Sequence, residues 1–126
     1  MSLASAGSPS ADAIDDIVSI DPHEAFEFSG VDLNNNVYDT LIELDPMKPD
    51  ELSPGLAESW SVADDGMTYT FKVKSGITFS SGNPMTAEDA AGSLRRVVKL
   101  NKTPAFILTQ FGLTPENVDE MITFEG

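Results

Sequence analysis

Phe26-Glu27-Phe28-Ser29, followed by Gly30, sets two large apolar faces, a carboxylate and a hydroxyl on a stretch with neither a helical nor a strand period to bury them. A ligand cleft uses such a mixture, apolar walls with a few polar groups that orient the guest. The competing expectation is that both phenylalanines plug the local core. Catalysis has a weaker case, because nucleophile, base and charge stabiliser must meet in one cluster, and no cluster in the chain supplies all three. His23 is the only histidine, which forbids a two-histidine metal site. Beside an Asp-Pro turn it reads as a structural or solvated residue. Asp64-Asp65-Gly66 shares paired carboxylates and a glycine with calcium loops but lacks their alternating ligands and terminal glutamate, so a tight hairpin turn is expected. Asp15-Asp16 reads as a solvated strand end. A glycosidase-type pair would need two of the 21 acids at a set separation, and their abundance makes each one uninformative. No catalytic residue, metal ligand or cofactor is assigned.

Composition narrows the field further. The 126 residues suit one domain with a core of its own, and the longest apolar runs, such as Ala105-Phe106-Ile107-Leu108, are only four residues. A spanning helix needs roughly 20. Seven basic against 21 acidic residues give a net charge of −14, which repels phosphate backbones and anionic lipid, so nucleic acid is a poor partner. The imbalance lies in residues 1–66, with 15 acids and the single base Lys48, whereas residues 67–126 are neutral overall. With 40% apolar residues and ten aromatics the chain has the material to fold. The absence of cysteine removes disulfides, thiolate zinc sites and thiol nucleophiles. No secretory leader is visible in Met1 to Ala13, so an export signal has been removed or never existed. Residues 1–13 are expected to be a flexible leader, and Met1-Ser2-Leu3 and Glu125-Gly126 resemble expression-vector remnants on a trimmed piece of a longer chain.

The elements that must position the aromatic stretch follow from periodicity and punctuation. Ile17-Val18-Ser19-Ile20 is a strand candidate stopped by Asp21-Pro22. From Ser29, as cap, apolar residues recur at helical spacing through Val31, Val37, Tyr38 and Leu41, predicting a short helix near 30–38. Leu41 to Leu44 reads as a strand and Pro46 to Pro54 as a solvent loop. Trp60 and Val62, then Met67, Tyr69, Phe71 and Val73, alternate around Asp65-Gly66, which predicts a hairpin. Ile77-Thr78-Phe79 is a further short strand. Thr86-Ala87-Glu88-Asp89 opens a helix at 87–101 whose apolar stripe runs through Ala87, Ala90, Ala91, Leu94, Val97, Val98 and Asn101, with Arg95, Arg96, Lys99 and Lys102 complementing its C-terminal end. Thr103-Pro104 and Thr114-Pro115 predict short helices at 104–111 and 115–122. The expected fold class is α+β, a small, mainly antiparallel sheet with flanking helices, the helix at 87–101 packing on the hairpin.

The order of motifs resembles a known family. Ile20-Asp21-Pro22-His23, Asn36-Val37-Tyr38-Asp39-Thr40-Leu41, Pro54-Gly55-Leu56-Ala57-Glu58-Ser59-Trp60, Asp65-Gly66-Met67-Thr68-Tyr69-Thr70-Phe71, Gly76-Ile77-Thr78-Phe79 and Thr86-Ala87-Glu88-Asp89 together resemble the N-terminal region of bacterial extracellular solute-binding proteins of family 5. These are the binding components of dipeptide, oligopeptide and nickel ABC transporters. The resemblance covers residues 14 to about 112.

It implies a type II periplasmic-binding-protein-like fold, with residues 14–124 as the N-terminal part of lobe I of a longer, non-enzymatic two-lobed receptor. That receptor would close on a peptide-like solute and deliver it to ABC permease subunits, in the periplasm or, in some bacteria, tethered outside the membrane. In the family the loop after the Asp-Pro motif reaches the cleft, which by spacing assigns ligand contact to Phe26, Glu27, Phe28 and Ser29. The strand expected before that motif is replaced here by the Ala-, Ser- and Pro-rich leader. The hairpin aromatics are expected to be core. An uncovered apolar face or sheet edge is expected to drive self-association. Two readings from other classes are an acidic protein–protein interaction module and a hydrolase resting only on the abundance of acids.

Overall fold

The structure, a computed structural model, describes residues 16–126. The expected leader and Asp15 lie outside the described residues. In chain order the elements are α1 (Phe28–Val37), β1 (Ile42–Asp45), β2 (Lys48–Pro54), β3 (Ala57–Val62), β4 (Tyr69–Val73), α2 (Ala87–Leu100), a 3-10 turn (Thr103–Ala105), α3 (Phe106–Thr109) and α4 (Val118–Met121). The α+β class holds, with the small antiparallel sheet divided into two two-stranded ones.

The hairpin of β3 and β4 pairs Trp60 with Phe71 and Val62 with Tyr69, so the alternating aromatics share one face. Its turn is the expected one: Gly66 takes a positive φ of 69° and Asp65 Oδ1 accepts the Met67 amide at 2.9 Å. A bulge between Ala57 and Ser59 lets Ala57 pair with Val73, and Ala57 is buried. Gly55 makes the junction with β2. Its backbone lies so close to the Thr40 and Leu41 carbonyls that a Cβ would collide with Thr40 O, and the amides of Leu56 and Ala57 donate to Thr40 O and Leu41 O at 2.8 and 3.0 Å.

Several expectations are corrected. Residues 46–54 are mostly strand: β2 pairs with β1, and Pro49 falls in the bulge between the Asp45–Lys48 and Leu44–Leu52 pairs, where no ladder amide is needed. Ile17 to Ile20 form no strand; among the described residues no strand pairs with them, and the Val18 amide donates instead to Glu27. Ile77-Thr78-Phe79 contributes only a bridge between Thr78 and Pro84. The helices expected at 104–111 and 115–122 shorten to α3 and α4, and a reciprocal Thr114–Asn117 bond pair closes the turn before α4. Phe28, not Gly30, opens α1, so Ser29 lies inside the helix and is not its cap.

α2 is the best specified element. Thr86 and Asp89 form a reciprocal capping box, and Asn101 ends the helix in the left-handed region at φ 49°. Its stripe buries Ala91, Val97 and Val98, but its main packing is against the 3-10 turn and α4, not on the hairpin. Val97, Val98, Ala105 and Val118 form the core there, with Leu108, Leu113 and Ile122 against it. The basic residues of α2 serve tertiary contacts. Arg95 donates to Ile122 O and lies 5.5 Å from the centre of the Phe124 ring, Lys99 pairs with Asp119 at 2.6 Å, and Arg96 reaches Asp21.

Candidate functional site

Among the four residues expected to meet a ligand, Phe26 ends the loop and Phe28 opens α1, with 48% and 76% of their surfaces exposed. The rings are therefore not plugs of the local core. Phe26 makes one aromatic contact, edge-on to Phe106 with centroids 5.4 Å apart. Glu27 holds the N-cap position of α1 in extended conformation, and its carboxylate is engaged by backbone amides of the chain itself: Oε1 accepts the Val18 amide and Oε2 the Phe26 amide, both at 3.0 Å. Its own amide and that of Val18, followed by Phe26, hold its pKa below the ordinary glutamate value. Gly30 is buried beneath it, where a Cβ would strike the Glu27 carboxylate. Ser29 is half-buried inside α1.

The loop is anchored by the Asp21-Pro22-His23 turn. Asp21 Oδ1 accepts the His23 amide at 2.9 Å, and Asp21 O accepts the Glu24 and Ala25 amides at 3.0 and 2.9 Å, leaving Ala25 buried. Arg96 grips the same carboxylate with both nitrogens, Nη1 to Oδ1 at 3.0 Å and Nη2 to Oδ2 at 2.6 Å. The fork of Arg96, ahead of the His23 amide, lowers the Asp21 pKa. His23 Nδ1 lies 2.6 Å from Arg96 Nη1 and Nε2 lies 3.1 Å from Ser93 Oγ. These groups, with Ile20, Pro22 and Tyr38, line a shallow depression of about 410 Å³. Phe26, Glu27, Phe28 and Ser29 do not line it, and its polar groups are already paired with one another, so it offers a ligand few open partners.

Sequence reasoning singled out the loop but missed Arg96 and Ser93. Their three-residue spacing on one side of α2 is the single local sign, since their partners lie 75 and 70 positions away. His23 is structural, as read. Asp64 and Asp65 belong to the hairpin turn, and Asp16 is exposed. Among the described residues no group of three or more His, Asp or Glu side chains could hold a metal ion, and no helix is long and apolar enough to cross a membrane.

Comparison with known proteins shows the family. Residues 51–121 match the family model described as bacterial extracellular solute-binding proteins, family 5 Middle. The chain belongs to that family. The periplasmic oligopeptide-binding protein OppA of Haemophilus influenzae is 32% identical over 105 residues, covering 82% of this chain and 19% of the relative. A probable peptide ABC transporter periplasmic-binding protein of Sinorhizobium fredii is 38% identical over 60 residues, 48% of this chain and 11% of the relative. The crystal structure of the Haemophilus influenzae OppA complex with RPPGFSPFR superposes with a TM-score of 0.68 at 29% identity, covering 82% of this chain and 20% of that one. The chain thus spans about a tenth to a fifth of the length of these relatives. The fold is part of the one found in that solute-binding protein.

Proposed function

We propose that the chain is part of the substrate-binding component of an ABC importer, which captures a peptide-like solute in the periplasm and hands it to a membrane permease without making or breaking bonds. Phe26, Glu27, Phe28 and Ser29 form part of the mouth of the solute pocket. The observation that carries this reading is the pair of exposed rings at the junction of the loop and α1 in a chain of this family. Aromatic faces supply apolar walls for a guest, and the remaining lone pairs of the Glu27 carboxylate are suited to the N–H groups of a peptide backbone. Peptide-binding names among the relatives favour a peptide over a bare ion.

In a receptor of the relatives' full length that carries these residues, a panel of peptides should raise the melting temperature in a concentration-dependent way. Phe26→Ala with Phe28→Ala should shrink that rise without unfolding the protein. A double variant that melts early while keeping its relative peptide preferences would make both rings scaffold and defeat the assignment. Self-association is proposed for the chain alone, because Met67, Tyr69 and Phe111 expose apolar surface of the kind a partner covers. Its elution volume should fall with rising concentration, and constancy over a wide range counts against it.

A further inference from the structure

The hydrogen-bond chemistry of the depression says more than its volume. Arg96 has only donors, so the 2.6 Å contact between its Nη1 and His23 Nδ1 requires an unprotonated, accepting Nδ1. The ring proton then belongs on Nε2, where it donates to Ser93 Oγ at 3.1 Å. The same guanidinium holds Asp21, whose backbone carbonyl and side chain organise the turn leading to Ala25 and Phe26. We propose that Arg96 and His23 are positioning residues for Phe26, Glu27 and the start of α1, joined with Asp21 in a clasp between the turn and α2 whose imidazole arm forms only with a neutral ring, so that the clasp loosens when that ring takes up a proton.

Every charged group facing the ring enters the balance. A second proton would set an imidazolium against the Arg96 cation while removing the acceptor that Arg96 uses. Asp21 opposes this by favouring the charged ring, and Glu24 lies within electrostatic reach of Arg96. Desolvation, followed by Arg96, outweighs Asp21 and lowers the His23 pKa from its ordinary value. The sign follows: a lowered base binds fewer protons folded than unfolded, so the clasp is fully formed above about pH 6.5 and weakens as pH falls below it. Asp21, held low by Arg96, stays ionised throughout that window.

The relevance of the clasp to solute capture rests on the function proposed above, but the clasp itself does not, and the test separates the two. His23 is the only histidine, so its imidazole gives a single NMR titration in the 126-residue chain. Its midpoint should lie below about 6.5 and move up toward that value in Arg96→Gln. A midpoint at or above 6.5, or one unmoved by the substitution, overturns the proposal. Protection of the amides between Val18 and Glu27 against hydrogen exchange, corrected for intrinsic pH effects, should fall about tenfold from pH 7.5 to 5 in the native sequence. His23→Asn, whose side-chain oxygen can accept from Arg96 but takes up no proton, should hold its protection across the range. An equal fall in that variant overturns the proposal even if Arg96→Gln fails to fold. In the full-length receptor, peptide affinity should weaken on acidification with the native His23 and not with Asn. No peptide binding at any pH would strike the proposed function and leave the clasp standing.

Discussion

The two hairpins and the helical cluster around α2 are held together by different means. In β1 to β4 the only buried strand residue is Ala57; Leu44, Leu52, Val62 and Tyr69 all stand open to solvent, and the region relies on backbone ladders and the close approach at Gly55. Around α2 side chains do the work, with Val98 and Val118 fully enclosed and Ala105 nearly so. Strong alternation therefore announces a strand without guaranteeing that the strand buries its apolar face within the same chain. Of the hairpin aromatics expected to be core, Trp60 and Phe71 are half-buried and Tyr69 is exposed, whereas the stripe of α2 buries Ala91, Val97 and Val98 and leaves Asn101 exposed.

This contrast can be broken by crossing backbone and side-chain substitutions between the two regions. The largest effect should come from Gly55→Ala, where the added methyl meets the Thr40 carbonyl of an adjoining segment and not a flexible side chain; about 3 kcal/mol of stability should be lost, seen as a lower denaturant midpoint and as lost exchange protection at Leu56 and Ala57. Val98→Ala should cost about 2 kcal/mol in the same melts, with the loss of protection confined to α2, the 3-10 turn and α4. Thr86→Ala removes one arm of the capping box and should cost about 1 kcal/mol, with the first turn of α2 exchanging faster. Tyr69→Ala should stay within about 0.5 kcal/mol despite removing an aromatic, because that ring is exposed. If Tyr69→Ala proved as damaging as Val98→Ala, the hairpin face would be packed in solution and the contrast would fail.

How much was legible depended on how far apart the partners lie. Thr86 and Asp89 are three residues apart, and Asp65 and Gly66 adjacent, so α2 and the β3–β4 turn could be read from local chemistry. β2 could not, because its two prolines read as loop until β1 supplied a ladder with a bulge at Pro49. Ile17 to Ile20 failed the other way: apolar residues with no strand beside them do not make a sheet, and Glu27 took the Val18 amide. At the site, lack of a burial period in Phe26 to Ser29 correctly marked exposed rings, but the bonds of Glu27 to the Val18 and Phe26 amides were invisible because a carboxylate binds backbone amides as readily as ligands.

The sequence by itself determined the family, the α+β class, the helix opened by Thr86 and the Asp65-Gly66 turn, since each rests on residues within a few positions of one another or on an ordered set of motifs. Only the tertiary structure decided that Arg96 belongs to Asp21 and His23, that Asn101 ends α2 and α2 packs toward α4, and that Val62 and Tyr69 of the hairpin face stay exposed. Those outcomes depend on which distant segment satisfies a charge or an apolar face first, and one-dimensional spacing carries no record of that competition.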